Sequence, residues 1–460
     1  MFEVLDRQTR LTGNQKKILA AAIIGDALEF FDYFLIGFVL AFLIGPWKLT
    51  FGQSAIVLMS SGIGAILGAY IWGWLADKIG RRKVFIGTVL NFSIATGLLY
   101  FTPDNGWIYL TIMRFFVGFG VGGLYCVDLP LVQEFMPSSK RGWVGGLVTC
   151  VIPLGVGMGA VLGAFMGPTE WRLLFVIGLA PSLLVLLVRI WVPESPWWLV
   201  RQGRYEEARK SLAWALQVSP NSLPLPDTTS NPRPVAPSFF ELFKYPRSLL
   251  VSWLGNAGAQ TGAYGISLWA PALFVLLLNV TPQEASKMFI LLTVTGFVGR
   301  LVFSYLSDVI GRRRAGGLLG FGAGILTIAA GQYYDATLFG VSAFWLILAA
   351  AMFFADGGFA IVGPYAAEVW PSHLRTTGMG SAYGFGGIGK ILGPVGLALI
   401  VGSGNYLKPD VPLPQIPTAF LYLGCWFLAS GLVYYFIGIE TKGKSIDQID
   451  KELLAGAAAR

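Results

Sequence analysis

Twelve apolar stretches of about 20 residues divide this 460-residue chain, and each is long enough to cross the hydrocarbon core of a bilayer. Of all residues, 55% are apolar and only 13% are charged, a balance that a soluble domain of this size does not have. The sequence therefore predicts an all-α membrane protein with twelve transmembrane helices. The predicted spans one to twelve cover residues 17–44, 53–76, 84–102, 108–134, 142–167, 171–192, 249–278, 286–308, 314–333, 340–367, 378–402 and 416–438.

Lys and Arg residues are distributed unevenly between the two sets of loops. If Met1 is cytoplasmic, most of the 33 basic residues fall in cytoplasmic segments, and the opposite loops hold only Lys48, Arg172, Lys287 and Lys408. This is the positive-inside pattern, and it predicts that both termini are cytoplasmic. The net charge of +8 then reflects membrane topology, so no nucleic-acid partner is expected.

The loops on the outer side are short, which indicates a multi-pass protein of the plasma membrane, of the bacterial inner-membrane type. We expect no cleavable signal peptide before the first span. We expect the protein to be a monomer in the lipid bilayer.

One long polar segment separates the first six spans from the last six. It contains amphipathic helical patterns on either side of a Pro/Ser-rich stretch of extended character. The predicted domains are an N-terminal six-helix bundle over 1–192, a cytoplasmic linker with amphipathic helices over 193–247, a C-terminal six-helix bundle over 248–438 and a cytoplasmic tail over 439–460.

Two loop sequences occur once in each half of the chain. "GWLADKIGRRK" at 73–83 is matched by "SYLSDVIGRRR" at 304–314, and "EFMPSSKRG" at 134–142 is matched by "EVWPSHLRTTG" at 368–378. Such repetition of order and spacing is not expected of ordinary solvated loop charges. We interpret the repeats as ionic latches that close in one conformation and open in another. The predicted latch residues are Asp77, Arg81, Arg82, Glu134, Arg141, Asp308, Arg312, Arg313, Glu368 and Arg375.

The duplicated G-x-L-A-D-x-x-G-R-R-K signature resembles that of the major facilitator superfamily, and the resemblance covers essentially the whole chain. "PESPWWL" at 193–199 and "IETKGKSIDQID" at 439–450 resemble the sugar-porter branch, and "EFFDYFLIG" at 29–37 resembles metabolite:proton symporters. The resemblance implies the major facilitator fold, in which two pseudo-symmetric six-helix bundles rock around a midplane site by alternating access.

Carboxylates cluster at membrane depth in the N-terminal half. Helical spacing puts Asp26, Glu29 and Asp32 of span one on one face, and Asp128 of span four lies near the depth of Asp26. Clustered carboxylates in a low dielectric favour retention of a proton near neutral pH. We therefore predict that the proton carrier is among these four residues. The alternative for any one of them is a structural partnership with Arg114 or with backbone donors.

Cations dominate the C-terminal half, where Arg300 lies in span eight, Lys390 in span eleven and a single acid, Asp356, in span ten. "GGIGKILGP" resembles the span-eleven stretch in which organic anion transporters place a cation, and those carriers similarly place a basic residue in span eight. The resemblance implies that Arg300 and Lys390 anchor a substrate carboxylate. The alternative is an ion pair of Asp356 with Arg300 or Lys390, which accounts for only one of the two cations.

Aromatic and amide side chains of spans seven, ten and eleven are expected to line the same cavity. An apolar pocket with few polar anchors suits a carboxylic acid with an apolar or aromatic body. The predicted substrate contacts, besides the charged residues, are Tyr264, Gln260, Trp269, Tyr383 and Phe359.

The function that these features favour is proton-coupled symport of a small organic anion. The alternative is a sugar or polyol:proton symporter, supported by the sugar-porter motifs and by Asn256 and Gln260, which can match hydroxyl groups. A transporter-fold sensor is a third possibility, against which the short tail after span twelve argues.

Enzymatic function is excluded because the groups that it requires are missing. The single His373 lies in a loop, and no spacing of metal ligands is found. The G-x-x-x-x-G-K pattern that ends at Lys390 is followed by Ile391, whereas a phosphate-binding loop needs a hydroxyl there and a strand before it. Neither a cofactor nor a metal site is expected.

Overall fold

A computed structural model describes residues 3–137, 140–167, 169–179, 183, 192–225, 239–371, 374–408, 413–442, 444, 448–449 and 451–453. In the N-terminal half, span one is the helix Gly13–Trp47, span two is Phe51–Ile79, span three is Arg81–Leu99 and span four is Trp107–Glu134. Span five consists of two consecutive helices, Arg141–Cys150 and Ile152–Phe165. The predicted span six falls mostly outside the described residues.

In the C-terminal half, span seven is the helix Pro246–Leu278, span eight is Pro282–Ile310, span nine is Arg312–Gln332 and span ten is Ala343–Glu368. Span eleven again consists of two helices, Arg375–Gly386 and Gly389–Val401, and span twelve is Ile416–Leu432, continued by a π turn over Val433–Ile437. The shorter elements are the α-helices Glu3–Asp6, Pro196–Arg201 and Tyr205–Leu216, the 3₁₀ helices Pro220–Ser222 and Phe239–Lys244, and the hairpin Thr337–Leu338 with Val341–Ser342.

Within the described residues, ten helices are long and apolar enough to cross a bilayer. Span three is not among them, since its 19 residues begin with Arg81, Arg82 and Lys83. The prediction of an all-α membrane protein is confirmed. The cytoplasmic location of the termini and the division into domains at residues 192, 247 and 438 stay predictions.

The chain forms two compact units. Unit 1 contains Met1–Tyr33, Ile63–Gly155 and Arg172–Val235, and unit 2 contains Phe34–Gly62, Val156–Trp171 and Ala236–Arg460. Spans one, two and five therefore contribute to both units. Each unit has an apolar cluster near its latch sequences, with Phe135 and Leu131 in unit 1 and with Trp370 and Tyr365 in unit 2.

In unit 2, the second half of span one packs directly on span seven. The rings of Phe34 and Tyr264 are 5.2 Å apart, and a Cβ atom at Gly37 would lie 2.9 Å from the carbonyl oxygen of Leu268. Small residues allow helices to approach this closely in a membrane, where packing takes over the role that the hydrophobic effect has in water. This packing brings part of span one next to the cation-bearing helices of unit 2.

Candidate functional site

The four carboxylates predicted to include the proton carrier are all buried in unit 1. The exposed fraction is 3% for Asp26, 1% for Glu29, 0% for Asp32 and 2% for Asp128. Acids at membrane depth persist where protein groups or protons compensate their charge. The groups around each carboxylate therefore decide which of them can exchange a proton.

Asp32 is held beside a buried cation and a hydroxyl. Thr96 Oγ1 donates a hydrogen bond of 2.6 Å to Asp32 Oδ2. Arg114 is fully buried and donates to the backbone carbonyl oxygens of Asp32, at 2.9 Å, and Tyr33, at 2.5 Å. Arg114 also attracts the Asp32 carboxylate electrostatically. Spans one, three and four thus meet at Asp32.

In unit 2, Arg300 is paired with the acid of span ten. Arg300 is 5% exposed, and its Nη2 lies 3.4 Å from Asp356 Oδ1. Its guanidinium carbon is 5.1 Å from the centroid of the Phe359 ring, a cation–π distance. The three residues form one charged and aromatic group. The sequence left open whether Asp356 pairs with Arg300 or with Lys390, and the structure shows the pair with Arg300.

Lys390 lies against aromatic and backbone groups. Its Nζ is 5.2 Å from the centroid of the Tyr264 ring, which in turn contacts Phe34. A Cβ atom at Gly62 of span two would lie 3.0 Å from Lys390 Cβ, so span two approaches span eleven closely here. The ammonium therefore faces a π surface in a half-buried position.

The helix of span eleven is interrupted immediately before Lys390. The amide of Lys390 donates to the carbonyl of Gly387 at 3.1 Å, and that of Ile391 donates to Ile388 at 3.0 Å, which is the i→i+3 spacing of a 3₁₀ turn. Such local tightening in a helix often marks a hinge or a functional position.

The glycines of the same stretch allow span eleven to pack closely against span seven. A Cβ atom at Gly386 would lie 2.5 Å from Asn256 Oδ1, and one at Gly389 would lie 2.6 Å from the amide nitrogen of Thr261. Helix packing thus explains the glycines that mimic a phosphate-binding loop in the sequence.

Two amides of span seven form a buried polar group beside Gly386. Gln260 Nε2 donates to Asn256 Oδ1 at 2.6 Å, and both residues are buried. Gln260 Oε1 and Asn256 Nδ2 have no hydrogen-bond partner among the described residues. These two atoms are available to a polar group of a ligand.

The remaining predicted contacts differ in their surroundings. Trp269 is fully buried, stacks on Phe51 and donates its Nε1 proton to the carbonyl oxygen of Pro394 at 3.1 Å, so its described contacts are between helices. Tyr383 is partly buried in span eleven. Two residues further on, Phe385 stacks on Trp253 of span seven at 4.7 Å between ring centroids.

The latch sequences of unit 1 meet at Glu134. Arg81 Nη2 lies 3.0 Å from Glu134 Oε1, and the Ser195 hydroxyl donates to Glu134 Oε2. Glu194 accepts the backbone amide protons of Arg81, at 3.0 Å, and Arg82, at 3.1 Å. The carboxylate of Glu194 thereby caps the first turn of span three, where negative charge is favourable.

The latch sequences of unit 2 form the same arrangement. Arg312 Nε lies 3.5 Å from Glu368 Oε2, and the Thr441 hydroxyl donates to the same oxygen at 2.6 Å. Glu440 accepts the backbone amide protons of Arg312, at 3.0 Å, and Arg313, at 3.3 Å. Each unit therefore ties three of its chain segments together with one pattern of contacts.

Four residues of these latches were missed in the sequence: Glu194, Ser195, Glu440 and Thr441. The available signal was that "ES" in "PESPWWL" and "ET" in "IETKGKS" follow spans six and twelve at matching positions. An acid and a hydroxyl there can cap a neighbouring helix and bond its partner carboxylate.

The other predicted latch residues are placed as follows. Asp308 Oδ1 lies 2.7 Å from Arg312 Nη1. In the described part of the chain no ion pair includes the exposed carboxylate of Asp77, whose backbone carbonyl accepts from Trp198 Nε1 at 3.0 Å. The side chain of Arg141 lies outside the described residues.

Comparison with known proteins gives one family. Residues 17–453 match the family model described as sugar (and other) transporter. The niacin transporter NiaP of Acinetobacter baylyi is 29% identical over 436 residues, which are 93% of this chain and 94% of that protein. A probable 4-methylmuconolactone transporter of Cupriavidus pinatubonensis is 30% identical over 444 residues, 95% of this chain and 93% of that protein.

A solved structure shares the fold. The inward-open conformation of the xylose transporter XylE from E. coli matches with a TM-score of 0.74 and 18% identity, over 95% of this chain and 99% of that one. At this identity the similarity concerns the fold alone.

Proposed function

The chain belongs to the sugar (and other) transporter family of the major facilitator superfamily, and on this premise we propose that it is a proton-coupled symporter of a small organic anion. It has the major facilitator fold and is a multi-pass transporter of the plasma membrane, not an enzyme. The expected substrate is a carboxylate with an apolar or aromatic body.

Lys390 is the observation that carries this proposal. The Lys390 ammonium is half-buried in an apolar span and lies 5.2 Å from the centroid of the Tyr264 ring. A substrate carboxylate bound here would meet a cation and an aromatic surface together, and its interaction with the ammonium would be charge-assisted. Tyr264 and the buried aromatic residues nearby would then receive the apolar body of the substrate.

The named relatives support the same class of substrate. One is a transporter of niacin, an aromatic carboxylate, and it aligns over 93% of this chain. We extend that substrate class to this protein as part of the proposal.

We place the proton carrier at Asp32 among the four predicted carboxylates. Full burial disfavours the charged form of Asp32, whereas Arg114 and Thr96 favour it, so a change in these neighbours can shift the carboxylate between its charged and protonated forms. It lies one residue before Tyr33, the last residue of span one in unit 1. A change of charge at Asp32 therefore acts where spans one, three and four meet.

Uptake by proteoliposomes tests the role of Lys390. With an inward proton gradient and labelled nicotinate as substrate, Lys390→Ala is expected to abolish uptake or to raise the half-saturation concentration at least tenfold, because the anion loses its counter-charge. Lys390→Arg is expected to retain partial activity. Lys287→Ala, in the first turns of span eight, is the control, and wild-type uptake by Lys390→Ala would contradict the proposal.

A sugar or polyol is the second candidate substrate, favoured by the amides of span seven. Gln260 Oε1 and Asn256 Nδ2 are buried and lack hydrogen-bond partners among the described residues, so they suit a hydroxyl-bearing ligand. In the same assay, this alternative predicts that labelled xylose is accumulated and that Gln260→Ala impairs its uptake more than Lys390→Ala does.

A further inference from the structure

A cavity of about 370 Å³ lies in unit 2 at the end of span eight, away from the residues proposed to bind substrate. It is lined by cationic side chains of the loops and of the segment after span twelve, together with two carboxylates. The charged lining residues are Asp308, Arg312, Glu368, Arg375, Lys442 and Lys444. Among the described lining residues, four side chains are basic and two are acidic, which gives this part of the lining a net positive charge.

Both carboxylates of the cavity are already engaged. Asp308 pairs with Arg312 at 2.7 Å, and Glu368 accepts from Thr441 at 2.6 Å and lies 3.5 Å from Arg312. Neither acid is therefore committed to Arg375 by the contacts of this structure.

Arg375 is a cation of the cavity without a carboxylate partner among the described residues. Its Nε atom is buried without a hydrogen-bond partner, and no ion pair includes its guanidinium within the described ranges. Lys444 pairs with Glu452 at 2.6 Å and Lys442 donates to a backbone carbonyl, so both ammonium groups keep donors to spare. A buried donor left unsatisfied is unfavourable, and a bound anion would remove that cost.

The start of span eleven adds to the positive potential at this place. Its first helix, Arg375–Gly386, begins at Arg375 itself, and the preceding Leu374 provides no side-chain cap. The partial positive charge of the helix N-terminus thus lies beside the guanidinium. The guanidinium and the helix N-terminus both attract an anion.

We propose that this cavity binds a phosphate group, held by Arg375 together with Lys442 and Lys444. A guanidinium offers two parallel N–H donors to phosphate oxygens, and ammonium groups add point charges. The bound group connects the start of span eleven to the segment after span twelve. The bound phosphate group belongs either to a free phosphorylated anion or to a lipid headgroup. A lipid headgroup is a candidate because the cavity lies where spans end.

Calorimetric titration of the full-length protein in lipid-free detergent tests the site with inorganic phosphate at constant ionic strength. Saturable binding is expected, and Arg375→Gln is expected to weaken it by about tenfold or more. Arg314→Gln, an exposed arginine of span nine outside the cavity, is the matched control and should bind as wild type. Lys390→Ala should also bind phosphate normally, which separates this site from the proposed transport site.

A second arm identifies the source of the phosphate group. Native mass spectrometry compares retention of phosphatidate and phosphatidylcholine by wild type and by Arg375→Gln. Preferential phosphatidate retention that depends on Arg375, without binding of inorganic phosphate, assigns the site to lipid. The double variant Lys442→Gln/Lys444→Gln replaces Arg375→Gln if the latter fails to fold. Absence of binding in both arms, or equal binding by cavity variants and wild type, overturns the proposal.

Discussion

The charge of Arg300 lies beside Asp356 and that of Lys390 beside the Tyr264 ring, so the roles of the two cations can be tested separately. Removing only the guanidinium of Arg300 leaves Asp356 as a buried charge, so Arg300→Ala is expected to lower the free energy of unfolding by about 3 kcal/mol. Arg300→Ala/Asp356→Asn removes both charges and should recover most of that stability. Thermal unfolding of the purified variants measures it.

Uptake by the same double variant distinguishes a structural role from substrate binding. If Arg300 anchors the substrate carboxylate, the stable double variant still fails to transport. Recovery of both stability and transport would limit Arg300 to holding spans eight and ten together.

Asp32→Asn tests the proton carrier. The variant is expected to lose accumulation driven by a pH gradient but to keep counterflow exchange, because exchange requires no net movement of protons. Asp104→Asn, at an exposed loop acid, is the matched control. If Asp32→Asn accumulates substrate like wild type while Asp26→Asn, Glu29→Gln or Asp128→Asn does not, the carrier is one of the other three residues.

The sequence identified all four buried acids because an ionisable residue in an apolar stretch is conspicuous. It did not single out Asp32, since Thr96 and Arg114 lie far away in the chain, on spans three and four. Which carboxylate they reach depends on how three helices are rotated about their axes. Hydropathy and helical spacing do not specify that rotation.

At the scale of helices, hydropathy predicted the spans of the described region but not their interruptions. Spans five and eleven are each divided in two, at Val151 and at Gly387–Ile388, although both are continuous apolar stretches in the sequence. The apolar content of a stretch indicates whether it can cross a bilayer. It does not reveal where a few backbone hydrogen bonds of the helix change from i→i+4 to i→i+3 spacing. The local indications were Pro153 beside the interruption of span five and the Gly-rich sequence of span eleven.

Close contact of spans eleven and seven is tested with alanine at two glycines of the same span. Gly389→Ala puts a Cβ atom 2.6 Å from a backbone nitrogen of span seven, so we expect a loss of about 1–3 kcal/mol in stability and reduced transport. Gly380 faces open space, and Gly380→Ala should be neutral or stabilising by about 0.5–1 kcal/mol. Equal thermal stability of the two variants would refute the packing argument.

At the scale of the whole molecule, the sequence repeats correspond to two latches of the same construction, one in each unit. Glu194 and Glu440 each accept two backbone amide protons at the start of a span. Glu194→Ala and Glu440→Ala are therefore expected to speed amide exchange by roughly tenfold or more, each at its own span start, because a charge-assisted hydrogen bond is worth about 1.5–3 kcal/mol. Hydrogen–deuterium exchange mass spectrometry resolves the peptides that contain residues 81–82 and 312–313. Glu3→Ala, at an exposed acid that pairs with Arg7, is the control. Because the two latches share no residues, the double variant should show the sum of the single effects. Fast exchange at both span starts in either single variant would mean instead that the two latches open as one unit.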